Sequence, residues 1–272
     1  MHEANAIATP MISGSIVSAR QGDSLADPYL YRSIVGALQY VTLTRPEISY
    51  AVNKTCQFMH APTMIHSQLV KQILRYLKGT FDNGLLLTKP TTLTLQGYSY
   101  ADWASDPDDR KSTSGFCIYL GNNPISWGSK KQAIISRSST EAEYRALALA
   151  ASKLIWLKTL FSELRILIPN PLILWCDNLS SVHLSANPVL HSRTKHVEID
   201  IYFIRDLVIY GKLRVQHLPS CANRRRSHKT FIIGTISDFE NQAQCLLTDK
   251  HGLAGELKPI TKIRFQFCGL WA

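Results

Sequence analysis

Three short acidic motifs stand out in the sequence, and their residue types suit metal-dependent phosphate chemistry. Residues 98–103 read YSYADW, residues 138–144 read SSTEAEY and residues 175–178 read WCDN. They are predicted to be a strand end, a helix start and a second strand end. Carboxylates that meet in one cleft can bind two divalent cations about 4 Å apart and support phosphodiester hydrolysis. Glu143 and Asp177 are the candidate catalytic carboxylates and metal ligands.

Each of these carboxylates also has an ordinary structural interpretation. Asp177 ends an apolar strand before a helix, so it could bind a metal or act as the N-cap of that helix. Glu143 could complete a capping box with Thr140, and Ser138 with Glu141 forms a second possible box. The two interpretations of each residue stay open at this point.

Two further residues are candidates for the same cleft. Asp102 lies two positions after Tyr100, so both share one face if the strand continues, although Asp102 could also belong to the turn at 106–109. His217 ends the last predicted strand, where it could carry a proton or be a structural histidine.

The charge of the chain favours a polyanionic partner. Thirty Lys and Arg residues against 20 Asp and Glu residues give a formal charge of +10, which suits nucleic acid. Candidate phosphate contacts lie at predicted loops and element ends, although solvated surface charge is the alternative for each. They are Arg110, Lys111, Arg137, Arg193, Lys195 and His196.

The cysteines and the hydropathy indicate where the chain acts. Six cysteines are scattered without a CxxC pair, which argues against a zinc site and favours reduced thiols. No apolar run approaches the length of a membrane span. We therefore expect an intracellular protein, cytoplasmic or nuclear, with no membrane partner and no small-molecule substrate.

The periodicity of apolar residues changes along the chain. Residues 1–28 are predicted to be a flexible lead-in, and 29–90 a helical segment that Pro46 and Pro62 divide. Residues 91–220 are predicted to be an α/β domain with a mixed sheet. Its strands are expected near 93–99, 114–120, 125–127, 132–136, 171–175 and 213–218, and its helices near 140–164, 179–186 and 195–210.

Taken together, the motifs resemble the C-terminal part of the Pol polyprotein of copia-type LTR retrotransposons. Residues 31–46 and 74–80 are similar to the end of its reverse transcriptase. Residues 102–115, 141–144 and 176–196 contain strings similar to its ribonuclease H (RNase H) domain.

The resemblance implies a fold and an activity. The fold would be an RNase H-like mixed five-stranded sheet with flanking helices, preceded by a small all-helical region. The activity would be magnesium-dependent hydrolysis of the RNA strand of RNA–DNA hybrids during reverse transcription.

The chain departs from the family pattern at two of its four catalytic carboxylates. Glu143 and Asp177 match the second and third, but Tyr100 stands where the family has its first aspartate. Residues 222–230 hold no acidic residue where the family has its fourth. The resemblance therefore implies an inactive or severely weakened enzyme. The alternatives are a nucleic-acid-binding module without catalysis and a decayed transposon fragment without function.

A shift in reading frame would explain the missing fourth carboxylate. Codons can be chosen for residues 222–230 that, read one base later, encode Gln-Ile-Ala-Asp-Val-Leu-Thr-Lys, which matches the family pattern. We therefore expect residues 221–272 to be an aberrant tail translated out of frame.

Overall fold

A computed structural model describes residues 4–12, 16–90, 92–186 and 197–218. Arg193, Lys195, His196 and the tail predicted at 221–272 lie outside the described residues. Residues 4–87 and 88–218 belong to different compact units, whereas the domain boundaries inferred from sequence stay a prediction. Within the described ranges, no helix combines the length and hydropathy needed to cross a membrane.

The first unit is helical. Asp27 caps its first helix by accepting a hydrogen bond from the Tyr29 N–H, and a proline at the first helical position suits the cap. Buried apolar side chains from the three helices form one core, which includes Val35, Val52 and Ile73. The elements are α1 (Pro28–Val41), a 3₁₀ turn (Pro46–Ile48), α2 (Ser49–Cys56) and α3 (Met64–Gly79).

A few residues of the described lead-in contact the helical unit or are buried. Met11 and Val17 are buried, and Met11 belongs to the helical core. The Arg75 side chain of α3 donates a hydrogen bond to the Asn5 carbonyl at 2.7 Å. The flexibility expected for residues 1–28 stays a prediction.

The second unit contains a mixed five-stranded sheet with the strand order β3-β2-β1-β4-β5. The first three strands pair antiparallel, while β1, β4 and β5 pair parallel. The strands are β1 (Leu95–Asp102), β2 (Thr113–Leu120), β3 (Asn123–Lys131), β4 (Leu172–Cys176) and β5 (Leu213–His217). This sheet, its flanking helices and the helical region before it confirm the fold class predicted from sequence.

Three helices accompany the sheet: α4 (Ser139–Glu163), α5 (Leu179–Ala186) and α6 (Glu198–Ile209). Small and apolar residues of α4, such as Ala151 and Leu154, are fully buried with Leu172 and Leu174 of β4. A parallel strand between helical crossovers needs such an apolar sequence, because it is covered on its faces.

The strand predicted at 132–136 is wrong. β3 already ends at Lys131, and the Gln132 side chain turns inward. Its amide donates to Ser114 Oγ at 2.9 Å and to the Ala142 carbonyl at 3.0 Å, and its oxygen accepts from Ser136 Oγ at 2.8 Å. Gln132 and Ser136 are buried while residues 133–135 are exposed, so this segment is a polar junction between β2 and α4, in which buried polar groups find partners.

Close packing around Gly97 should exclude a larger residue at this position. An added Cβ would lie 3.0 Å from Leu154 Cδ1 and 3.1 Å from Leu174 Cδ1. At Gly115 of the same sheet the nearest atom would lie 3.9 Å away. We expect Gly97→Ala to unfold at a lower urea concentration than Gly115→Ala, because overpacking strains a core. Their free energies of unfolding should differ by about 1 kcal/mol. Both changes restrict the unfolded chain equally, so equal midpoints would contradict the packing argument.

Candidate functional site

The ends of β1 and β4 lie side by side and form the base of the candidate site. Ser99 of β1 is opposite Cys176 of β4 in the parallel register. Asp177 follows β4 directly, where ligands of open α/β sheets commonly bind.

Glu143 reaches this edge from the first turns of α4. Its Oε1 accepts a hydrogen bond from the Ala101 backbone N–H at 2.9 Å, beyond the point where β4 stops pairing with β1. The residue is 5% exposed, and Oε2 is buried without a hydrogen-bond partner among the described residues. One oxygen is therefore fixed by the sheet while the other remains unsatisfied.

The capping interpretation of Glu143 is wrong. The N-cap of α4 is Ser138, whose Oγ accepts from the Glu141 N–H at 3.2 Å. Glu141 in turn accepts from the Arg137 N–H at 2.8 Å. Ser138 thus caps the helix, while Glu141 reaches the Arg137 N–H instead of the Ser138 N–H that a complete box requires. Glu143 is left to point at the sheet.

The start of α5 is capped by Asn178, the residue after Asp177. Asn178 Oδ1 accepts from the Ser181 N–H at 3.0 Å, so Asn178 caps the start of α5. The strand-end motif therefore supplies Asn178 as the cap of the helix, and the preceding Asp177 carboxylate belongs to the acidic cluster.

The structure adds Cys176, which sequence reasoning missed, to the two predicted ligands. One potential ligand atom each from Glu143, Cys176 and Asp177 lies within 4.8 Å of the other two. Cys176 is 1% exposed and its thiol shares the buried side of the site with Glu143. Its place inside the WCDN motif is the signal that could have revealed it.

Burial and like charge dominate the electrostatics of the site. Burial raises the pKa of the Glu143 carboxyl well above its usual range, and the Asp177 charge raises it further. The hydrogen bond from the Ala101 N–H lowers this pKa, and the Asp102 charge raises it by a smaller amount. Burial, followed by the charge of Glu143, also raises the pKa of the Cys176 thiol to about 12. A bound cation would stabilise the ionised forms of all these groups.

Tyr100 and Asp177 occupy neighbouring positions at the edge of the sheet, since each follows a member of the Ser99–Cys176 pair. Ala101 packs with Ala142 of α4, so its face of the strand looks toward that helix. Tyr98 stacks with Trp175 at 6.3 Å between ring centroids, and strand alternation gives Tyr100 the same face as Tyr98. Tyr100 is buried and brings a phenol to the position that the family resemblance gives to a carboxylate.

Asp102 and His217 lie at the rim of the site. Asp102 is the last residue of β1, half-buried and close enough to influence the pKa of Glu143, but it does not belong to the three-residue cluster. His217 ends β5, and its Nε2 lies 3.1 Å from the Asp177 backbone oxygen. Since a carbonyl only accepts, Nε2 donates and His217 helps to hold the backbone that carries Asp177. A role in proton transfer stays a prediction.

Curated relatives match most of the chain. The chain is 52% identical over 220 residues to the retrovirus-related Pol polyprotein from transposon RE1 of Arabidopsis thaliana, and 37% identical over 194 residues to that from transposon TNT 1-94 of Nicotiana tabacum. These matches cover 81% and 71% of this chain. The chain belongs to the copia-type retrotransposon Pol family. It spans 15% and 14% of the lengths of those two Pol polyproteins.

The comparisons with family models and with solved structures show less similarity to this Pol chain than the curated relatives do. No family model matches it. A solved structure of LC11-RNase H1 in complex with an RNA/DNA hybrid is 16% identical, with a TM-score of 0.37, over 50% of this chain and 93% of that one.

The loop between β1 and β2 presents basic residues near the site. Asp106 organises this loop, since its Oδ2 lies 2.8 Å from Lys131 Nζ. Lys111 Nζ lies 3.5 Å from Asp109, so part of its charge is already paired. Arg110 is exposed and has a φ of 57°. Of the predicted phosphate contacts in this loop, Arg110 therefore has the more available charge.

Arg137 is exposed just before α4, near the same edge of the sheet. The three other predicted contacts, at 193, 195 and 196, fall outside the described residues. Arg110 and Arg137 are called the basic rim below, and their contact with phosphate stays a prediction.

The raised pKa of Glu143 should make stability depend on pH. At a pH below the usual pKa range of a glutamate, Glu143 holds its proton in both the folded and the unfolded state. As the pH rises toward neutral and mildly alkaline values, the unfolded chain releases it first, so stability should fall. Glu143→Gln should flatten this decline in urea titrations with chelator present. Glu163→Gln, an exposed change in the same helix, should retain the decline, and parallel curves for all three proteins would contradict the assignment.

Proposed function

We propose that this chain carries the RNase H domain of a retrotransposon Pol protein and that its inherited reaction is hydrolysis of the RNA strand of RNA–DNA hybrids. We further propose that this catalysis is severely weakened. The observation that carries the proposal is the convergence of Glu143 and Asp177 at the sheet edge, while a buried tyrosine stands at position 100.

The residues at the site do not fit a pair of magnesium ions. Magnesium prefers near-octahedral oxygen ligands and keeps several waters, whereas this cluster offers two carboxylates and a thiol. A neutral phenol at Tyr100 is a poor substitute for a carboxylate that would be shared between two ions. We therefore assign no catalytic step to magnesium in this chain.

The basic rim supports a nucleic-acid substrate. Arg110 and Arg137 belong to the loops before β2 and before α4, and both loops border the edge of the sheet that carries the acidic cluster. Phosphate contacts from such residues fix the orientation of a duplex without reading its sequence. The formal charge of +10 favours the same class of partner inside the cell.

A second candidate is a hybrid-binding module without catalysis. It is favoured because the caps at Ser138 and Asn178 and the His217 contact are intact although the site lacks a carboxylate at position 100. A decayed fragment without a selected role is the third candidate, and binding separates the second from the third.

The purified chain should not cleave RNA–DNA hybrid in magnesium above the level of a Glu143→Ala, Asp177→Ala control. A missing metal ligand removes transition-state stabilisation on the order of several kcal/mol. The measurement is cleavage of a hybrid labelled on its RNA strand. Magnesium-dependent cleavage that the double variant abolishes would refute the proposed loss of activity.

The matched positive control is Tyr100→Asp combined with a one-base frame correction before the codon of Arg224. We expect this repaired chain to cleave, and either change alone to restore less, because ligands of one metal pair act as a unit. A repaired protein that folds and remains inert would show that the missing ligands are wrongly assigned.

Hybrid binding should depend on salt and on the basic rim. We expect an Arg110→Ala, Arg137→Ala variant to bind more weakly and to reduce the slope of log affinity against log salt by about 1 for each lost phosphate contact. Arg165→Ala, just past the far end of α4, is the control. If the slopes of all three proteins coincide, the rim does not contact phosphate.

A further inference from the structure

The donor set at the sheet edge points to a different kind of metal. We propose that Glu143, Cys176 and Asp177 form a site for one divalent cation of the zinc class, selected over magnesium by the thiol. This inference rests on the proposed function only in that Tyr100 supplies no metal-binding carboxylate.

The first support is the spacing of the three ligands. Their potential ligand atoms lie within 4.8 Å of one another. Ligands at about 2.0–2.3 Å from a tetrahedral zinc lie about 3–4 Å apart, so small side-chain rotations would close the site. Three protein ligands with a fourth position for water is a common arrangement for zinc that is not purely structural.

The second support is the unsatisfied oxygen of Glu143. The residue is 5% exposed, and its Oε2 is buried without a hydrogen-bond partner in the described part of the chain. Leaving such an oxygen unpaired is unfavourable, because it loses its hydrogen bonds to water without replacement. The Ala101 N–H fixes the other oxygen, so the carboxylate cannot turn away without losing that bond. A cation between Glu143 and Asp177 would satisfy the orphaned oxygen and reduce the repulsion between the two acids.

The third support is the fixed position of the thiol. Cys176 is 1% exposed at the end of β4, and its Sγ donates to the Asn178 carbonyl at 3.9 Å. The backbone of the strand therefore holds the sulfur beside the two carboxylates. Thiolate is a good ligand for zinc, cadmium and cobalt, and a poor one for magnesium. On binding, the metal–sulfur bond replaces the S–H bond and the proton passes to water.

The other described cysteines do not form comparable groups. Cys56 and Cys117 are free thiols, and neither belongs to a cluster of three potential ligands within the described ranges. The absence of a CxxC pair had argued against zinc, but that criterion detects ligands that are close in sequence. Here the sheet brings together residues from a helix start and a distant strand end.

Cobalt offers a direct test because its bond to sulfur produces a near-ultraviolet charge-transfer band. The full chain, stripped with chelator, is titrated with Co²⁺ in excess Mg²⁺. We expect one equivalent of Co²⁺ to generate the band, stoichiometric Zn²⁺ to remove it, and further Mg²⁺ to leave it unchanged. No band, or a band that Mg²⁺ abolishes, would overturn the inference.

Two substitutions locate the site. Cys176→Ser should lose the band, while Cys117→Ser, which changes a buried thiol on β2, should keep it. Glu143→Gln keeps a neutral group of similar shape and should fold, yet it should lower Co²⁺ affinity by about tenfold or more. A band that persists in Cys176→Ser would assign the metal to another cysteine and overturn the proposal. If Cys176→Ser does not fold by circular dichroism, Glu143→Gln decides, and unchanged affinity would overturn the proposal.

The two proposals can fail separately. Magnesium-dependent hybrid cleavage by the unmodified chain would defeat the proposed loss of catalysis, whatever the cobalt result. An inert chain without the cobalt band would defeat only the metal assignment.

Discussion

The hydrogen bond from the Ala101 N–H to Glu143 Oε1 joins the central strand to the start of α4, and the character of the site depends on it. It fixes a carboxylate in a buried position while its second oxygen stays unsatisfied and near Asp177 and Cys176. An interior with low dielectric makes such an arrangement costly unless a proton or a cation compensates for it. The edge of the sheet is therefore prepared for a positive ligand before any substrate arrives.

In this domain, the residues that cap the helices differ from those that form the acidic cluster. Ser138 and Asn178 cap the helices that flank the site, while Glu143 and Asp177 belong to the acidic cluster. Tyr100 lies on the strand face that carries the Tyr98–Trp175 stack, where an aromatic ring can be buried. A tyrosine at position 100 is therefore compatible with an intact sheet.

The sequence was sufficient for the fold class because strand alternation, the α4 stripe and the apolar β4 segment are strong local patterns. Glu143 and Asp177 could be nominated from their motifs, but their competing capping roles were resolved only by seeing which neighbours accept the helix N–H groups. Gln132 was misread because its burial is polar and serves a tertiary junction. Cys176 was missed because its ligand partners come from non-local pairing, which periodicity cannot detect.

The topology of the sheet also bears on how the site is assembled during folding. β1, β2 and β3 follow one another and pair antiparallel, whereas β4 joins β1 only after the long α4 crossover. Pairings between distant segments carry a larger loop-closure cost and tend to form later than hairpins. Since Ser99 and Cys176 meet through that late pairing, the cluster would be completed near the end of folding. The three ligands of a nascent chain would therefore stay apart until β4 pairs with β1.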